Sequence, residues 1–220
     1  MTKPFWDLEE TVGFVNVRST LDSLEYKVWS TGTDSDKLEV ANALATVRQN
    51  INILLIYLAR NPELWLNKNI AFGIFHTFDL HIPCLYSLLD SLNKDSIELL
   101  NKKIIDKCVQ DSTLFTYQEI TPNDQGLLGL NKPKIIKTIQ VNIDGKMIDY
   151  EIAEKRIMML TIRNKNTGRI NTYTQIMDLV IHELTHTTCN DVRWKPDNHK
   201  PPYTCYHRLM RKWARECGIL

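Results

Sequence analysis

Glycine and proline are scarce in this 220-residue chain, at eight of each. That scarcity excludes collagen-like and low-complexity architectures. Paired cysteines are lacking as well. Cys84, Cys108, Cys189, Cys205 and Cys217 are odd in number and include no Cys-x-x-Cys pair. A secreted disulfide framework is therefore not expected, and a reducing compartment is. The opening ten residues have no apolar stretch of the signal-peptide kind. The longest apolar run, residues 53–58, is far too short to span a bilayer. These absences lead to the expectation of a soluble, intracellular protein that does not enter membranes.

Net charge is also almost absent, at +1, but it is unevenly spread. Residues 1–130 carry 11 basic and 17 acidic side chains, a net of −6, whereas residues 131–220 carry 16 and 9, a net of +7. Hydrophobic residues at 43% and charged residues at 24% are the composition of a folded domain, not a disordered chain. An acidic front half joined to a basic back half suggests two functional regions, the second suited to an anionic partner.

Periodicity divides the chain near residue 112. Residues 38–60 carry Val40, Ala43, Leu44, Val47, Ile51, Leu54, Leu55 and Leu58 at helical spacing, with Asp34 or Ser35 as the cap and Asn61-Pro62 as the stop. Residues 85–92 and 96–109 are further helical candidates, and 8–29 is a weaker one. His76 and His81 lie among apolar neighbours and read as structural or surface histidines. Beyond 112 the texture becomes strand-like. Leu114-Phe115-Thr116-Tyr117 has β-type residues, and residues 135–143 alternate. Asp144-Gly145 then makes a tight turn into 147–152, because both central positions of such a turn need positive φ. Residues 156–163 form a third strand. The expected fold is α+β: a helical region over 1–111, then a domain over 112–220 with a short antiparallel sheet.

The chemistry lies in residues 172–186. Thr172 and Gln175 make a capping box, and Ile176, Leu179, Val180 and Ile181 give the following helix a face to bury. His182 and His186, four apart, stand one turn above the other. Two imidazoles so placed can reach one Zn²⁺, while Glu183 sits beside them as a general base for a water that the metal activates. A bare His-Glu-x-x-His arises by chance in roughly one such chain per hundred; the cap and the apolar preceding turns make coincidence rarer still. A catalytic zinc site needs a third protein ligand. His199, in a loop flanked by prolines, is favoured over Asp191 and over His207, which falls inside a final helix of residues 203–217 closed by Gly218.

Leu127-Leu128-Gly129-Leu130-Asn131, a strand ending Met159-Leu160-Thr161-Ile162-Arg163, and then His182-Glu183-Leu184-Thr185-His186 resemble the WLM family of zinc metallopeptidases, relatives of Spartan. His199 followed by Tyr203, Leu209 and Trp213 continues the likeness, which covers about residues 112–220. Two features depart from it: a twelve-residue loop between His186 and His199, and the inserted Asp144-Gly145 hairpin. The resemblance implies a zincin-like catalytic domain, a third histidine ligand after the motif, and proteolysis of proteins crosslinked to DNA, with repair as the context. It names no role for the front half.

Basic residues surround the motif, among them Lys132, Lys134, Lys137, Arg163, Arg169, Arg208, Arg211 and Arg215. They would give salt-dependent affinity for DNA, with Trp194 and Tyr203 able to stack on bases of a single strand. The competing reading is an internal interface with the acidic half, with Trp194 and Trp213 in the core. Two functions from different classes are expected on these grounds. The first is a zinc peptidase acting on a protein substrate, in association with DNA and in a nuclear or viral setting. The second is a non-enzymatic scaffold or nucleic-acid-binding protein, such as a virion or chromatin component, with a vestigial or structural zinc site.

Overall fold

Residues 13–61, 64, 115–120, 129–143, 146–164, 167–188 and 203–220 are described by the computed structural model. The first of them correct the helical expectation for 8–29. Phe14–Arg18 (β1) and Glu25–Trp29 (β2) pair antiparallel, from Phe14 opposite Trp29 to Arg18 opposite Glu25. Aromatic and β-branched residues on β2 alternate, so Tyr26 and Val28 are buried while Glu25 is exposed. The chain reverses at Ser23, whose φ of 60° is the left-handed conformation that such a turn requires.

Asp34–Arg60 (α1) forms where the apolar stripe predicts a helix, but its cap is Thr33, one residue earlier than expected. The Thr33 Oγ1 accepts from the Asp36 N–H while the Asp36 carboxylate accepts from the Thr33 N–H, so two orphan donors are satisfied together. Ser19 Oγ donates to Asn42 Oδ1 and ties the β1–β2 turn to this helix.

Phe115–Glu119 (β3), Gly129–Ile143 (β4) and Lys146–Leu160 (β5) complete one five-stranded sheet in the order β1-β2-β3-β5-β4. It is mixed and not purely antiparallel, since β2–β3 and β3–β5 run parallel. The separately expected strands 147–152 and 156–163 are one continuous strand for most of their length. No turn chemistry lies between them, so β5 runs unbroken to Leu160. It pairs with β3 only over Arg156–Leu160, whereas its ladder with β4 extends to Lys146 opposite Ile143, with bulges around Ile135. In that ribbon Ile139 opposes Tyr150 and Val141 opposes Ile148, while Thr138 opposes Glu151.

Tyr173–Thr188 (α2) and Tyr203–Glu216 (α3) follow. Period two also divides the packing around β5. Met158 and Leu160 join the main core with Val28, Leu44, Leu54, Met177, Val180 and Trp213. Ile157 and Met159 form a smaller cluster with Ile120 and Leu130. Sheet and main core thus take residues from both sides of position 112. Among the described residues no helix is long and apolar enough to cross a membrane. The helical candidates 85–92 and 96–109, together with His76, His81 and the turn pair Asp144-Gly145, lie outside the described residues.

Near the hairpin turn, Asp22 accepts from the Tyr26 hydroxyl at 2.5 Å and from Arg48 Nε at 3.0 Å. Burial pushes its carboxyl up, but hydrogen bonds from Tyr26, the Leu24 N–H and Arg48 outweigh that and hold it below its usual range. A carboxyl lowered by folding contributes stability above its unfolded pKa and loses it as pH falls through the folded value. Asp22→Asn is therefore expected to cost about 1.5 kcal/mol at neutral pH. The gap to wild type should close as urea titrations move below about pH 4. A gap that stays constant down to strongly acidic pH would rule out this role.

Candidate functional site

Helix α2 opens as its capping box requires. Thr172 N donates to Gln175 Oε1 at 3.0 Å, and the Thr172 hydroxyl contacts the same oxygen at 2.9 Å. Ile176, Met177, Val180, Ile181 and Leu184 are buried, which anchors the helix against the sheet. His182 and His186 emerge half-buried on the next face, with ring centroids 5.1 Å apart. Two imidazoles bound to one tetrahedral ion through nitrogens at about 2.0–2.1 Å have centroids about 5 Å apart. That ring separation is compatible with two imidazoles on one ion, and imidazole suits zinc.

Glu183 is only 5% exposed. Burial pushes its carboxyl up to about 8, opposed in part by a hydrogen bond from the backbone of Asn131. A carboxyl so displaced, on the turn that carries two histidines, is a candidate acid–base group. The start of β4 builds its seat. The Asn131 side chain donates from Nδ2 to the Glu183 carbonyl at 2.7 Å. Gly129 passes so close that a Cβ there would stand 2.6 Å from Glu183 Oε1, 2.9 Å from its Cγ and 2.9 Å from Leu179 Cδ1.

Helix α3 closes the other side. The Tyr203 hydroxyl donates to the His182 carbonyl at 3.1 Å, and its buried ring lies 4.7 Å from His186 and 5.4 Å from His182 between centroids. One turn on, His207 stacks on Tyr203 at 5.7 Å and stands 5.8 Å from the His182 ring. Arg211 Nη2 meets Asp178 Oδ1 at 3.0 Å and bridges α3 to α2. Together with Gly129 and Thr161 these elements enclose a cleft of about 690 Å³, with His182, Glu183 and His207 in its wall.

The structure places His182, Glu183 and His186 on one helix, with the two imidazole rings in contact. His199 and Asp191, two of the three options for the third ligand, lie outside the described residues, as does Trp194. His207 does approach the pair. Even so, among the described residues no group of three or more His, Cys, Asp or Glu side chains is positioned to share one ion. Tyr203 is buried, so it offers no face to a base, and Trp213 is core. Arg163 is committed to Glu119 at 2.7 Å and drops out of the basic surface, whereas Arg169, Arg208 and Arg215 remain exposed. The seat built by Gly129 and Asn131 was not foreseen. A glycine entering a strand is the usual sign of close backbone approach, but nothing in the sequence says what approaches.

A five-stranded mixed sheet bearing a helix with two histidines and a buried glutamate, closed by a second helix, is the class of α+β arrangement that the described residues define. No known protein family, no curated protein and no solved structure matches this chain.

Proposed function

We propose that this protein is a zinc-dependent peptidase with a zincin-like catalytic unit, as the resemblance to WLM-type enzymes implies. The observation that carries the reading is the His182–His186 pair, with ring centroids 5.1 Å apart, of which His182 shares a cleft wall with the buried Glu183. His182 and His186 would hold Zn²⁺, with His199 the expected third ligand. The ion, when bound, supplies Lewis-acid polarisation of a peptide carbonyl and activation of water. The residues of the chain do the rest. The Glu183 carboxylate accepts the proton of the attacking water and returns it to the departing amine. Tyr203 braces the His182 turn through its carbonyl, and the backbone of Asn131 holds the Glu183 carboxyl. The cleft walls exclude bulk water and orient the substrate.

The proposed substrate is protein associated with DNA. Support for the nucleic-acid part comes from the +7 charge of residues 131–220 and from the exposed Arg169, Arg208 and Arg215. The test is zinc content measured together with cleavage of casein and of a DNA-bound protein, with and without single-stranded DNA. About one zinc per chain is expected, along with proteolysis that a chelator stops and Zn²⁺ restores. Bound zinc without any cleavage would favour the scaffold reading, and DNA affinity that ignores added salt would remove the nucleic-acid part.

A further inference from the structure

The stretch Gly129-Leu130-Asn131 lies on β4, apart from the helix that carries the histidines, and the proposed chemistry uses only the Asn131 backbone from it. Its geometry is nevertheless specific to Glu183. Gly129 opposes Leu160 at the start of β4, where the strand runs along α2. A side chain there would overlap both ends of the Glu183 side chain and the tip of Leu179, at 2.6 to 2.9 Å. Real Cβ contacts are never that short, so something must give way. Leu179 and Glu183 lie one turn apart on the same helix. The element with most freedom to yield is the carboxylate, which ends a flexible side chain. Two residues further along β4, Asn131 holds the same residue from both ends: its side-chain amide donates to the Glu183 carbonyl, and its backbone reaches the carboxyl.

We infer that Gly129 and Asn131 are positioning residues for the general base: the missing side chain at 129 leaves the space the Glu183 carboxylate occupies, and Asn131 fixes the backbone from which it extends. This rests on the peptidase reading of Glu183. A glycine here is required for space and not for backbone conformation, since it has none of the positive φ that marks Gly13, Gly32, Gly168 and Gly218. Its replacement by alanine therefore alters position and not strand geometry. Misplacing a reacting group by about 1 Å costs roughly 100-fold in rate. The two Asn131 bonds described end on Glu183 and not on an imidazole, so the histidines should keep a bound metal.

The experiment is a double-substitution cycle on the full chain, combining Gly129→Ala with Glu183→Asp, whose shorter side chain withdraws from the added methyl. Turnover of casein, KM, zinc per chain and Tm are measured for all four proteins. Gly129→Ala is expected to lower kcat about 100-fold with KM and zinc unchanged. Adding Glu183→Asp should then cost less than about 3-fold more, where independent effects would multiply. The Tm lost on Gly129→Ala should likewise be recovered in part by the shorter acid. Wild-type turnover in Gly129→Ala, or effects on kcat and Tm that simply multiply and add, overturns the inference. Should Gly129→Ala fail to fold, Asn131→Ala carries the test: a lowered kcat with retained zinc supports the assignment, and unchanged kcat overturns it. If the wild-type chain cleaves nothing, the peptidase reading falls. The Tm cycle then still decides whether Gly129 shapes the space of Glu183.

Discussion

Glu183→Gln is expected to keep zinc bound and to lower peptide-bond cleavage by about 10²- to 10⁴-fold, the usual contribution of a positioned acid–base group. The amide has almost the size of the acid and can keep the hydrogen bond from Asn131, but it cannot take a proton from water. His182 and His186 are untouched, so metal content separates loss of the base from loss of the site. Burial already displaces the carboxyl towards neutrality and the amide resembles that neutral form, so Tm should not fall. Assays of kcat, zinc per chain and Tm on one preparation give all three outcomes. A glutamine variant retaining a tenth or more of wild-type turnover would remove Glu183 from the proposed role.

The second large effect concerns stability. Arg163 meets Glu119 through two parallel bonds, Nε to Oε1 at 2.7 Å and Nη2 to Oε2 at 2.8 Å. The same guanidinium donates to the carbonyls of Trp29 at 3.0 Å and Thr31 at 2.7 Å, while Glu119 Oε2 also accepts from Trp29 N–H at 2.8 Å. Five bonds therefore join the end of β2, the end of β3 and the segment after β5. The Glu119 side chain is 3% exposed, so removing its partner would leave an uncompensated carboxylate in the interior. Arg163→Met is expected to cost about 3–5 kcal/mol, whereas pairing it with Glu119→Leu should recover most of that loss, because two apolar side chains leave no charge behind. For a chain of this size the single substitution corresponds to a fall in Tm of roughly 10 °C. Equal losses in the single and double variants would show that the charge pair is not what holds the junction.

This ion pair illustrates why charge arithmetic reads poorly from sequence. Arg163 counts towards the +7 of residues 131–220, yet the fold spends it on an acid from the other half. Arg211 and Lys212 are paired too, with Asp178 and Glu216 of their own half. A sum over residues registers the sign of each charge and nothing of its partner. The N-terminal hairpin was missed for a related reason. Five-residue strands such as Phe14–Arg18 carry too few residues for period two to be told from period 3.6, and β2 is held in place by a partner about ninety residues away, with Lys27 opposite Gln118.

What the sequence by itself determined is local. Helix α1 follows from an apolar stripe about five turns long, the β4–β5 ribbon from β-type runs on either side of Asp144-Gly145, and α2 from a capping box before a buried face. The His182–Glu183–His186 constellation is legible for the same reason: all three residues lie within five positions of one helix, so 3.6 residues per turn fixes their relative placement. Only the tertiary structure decided that the sheet is mixed, that Tyr203 and His207 on α3 come to the histidine pair, and that Gly129 and Asn131 seat Glu183. Those contacts join residues some twenty to fifty positions apart on different elements. No periodicity encodes such distances; the packing of α2 and α3 against the sheet sets them, through burial of one shared core.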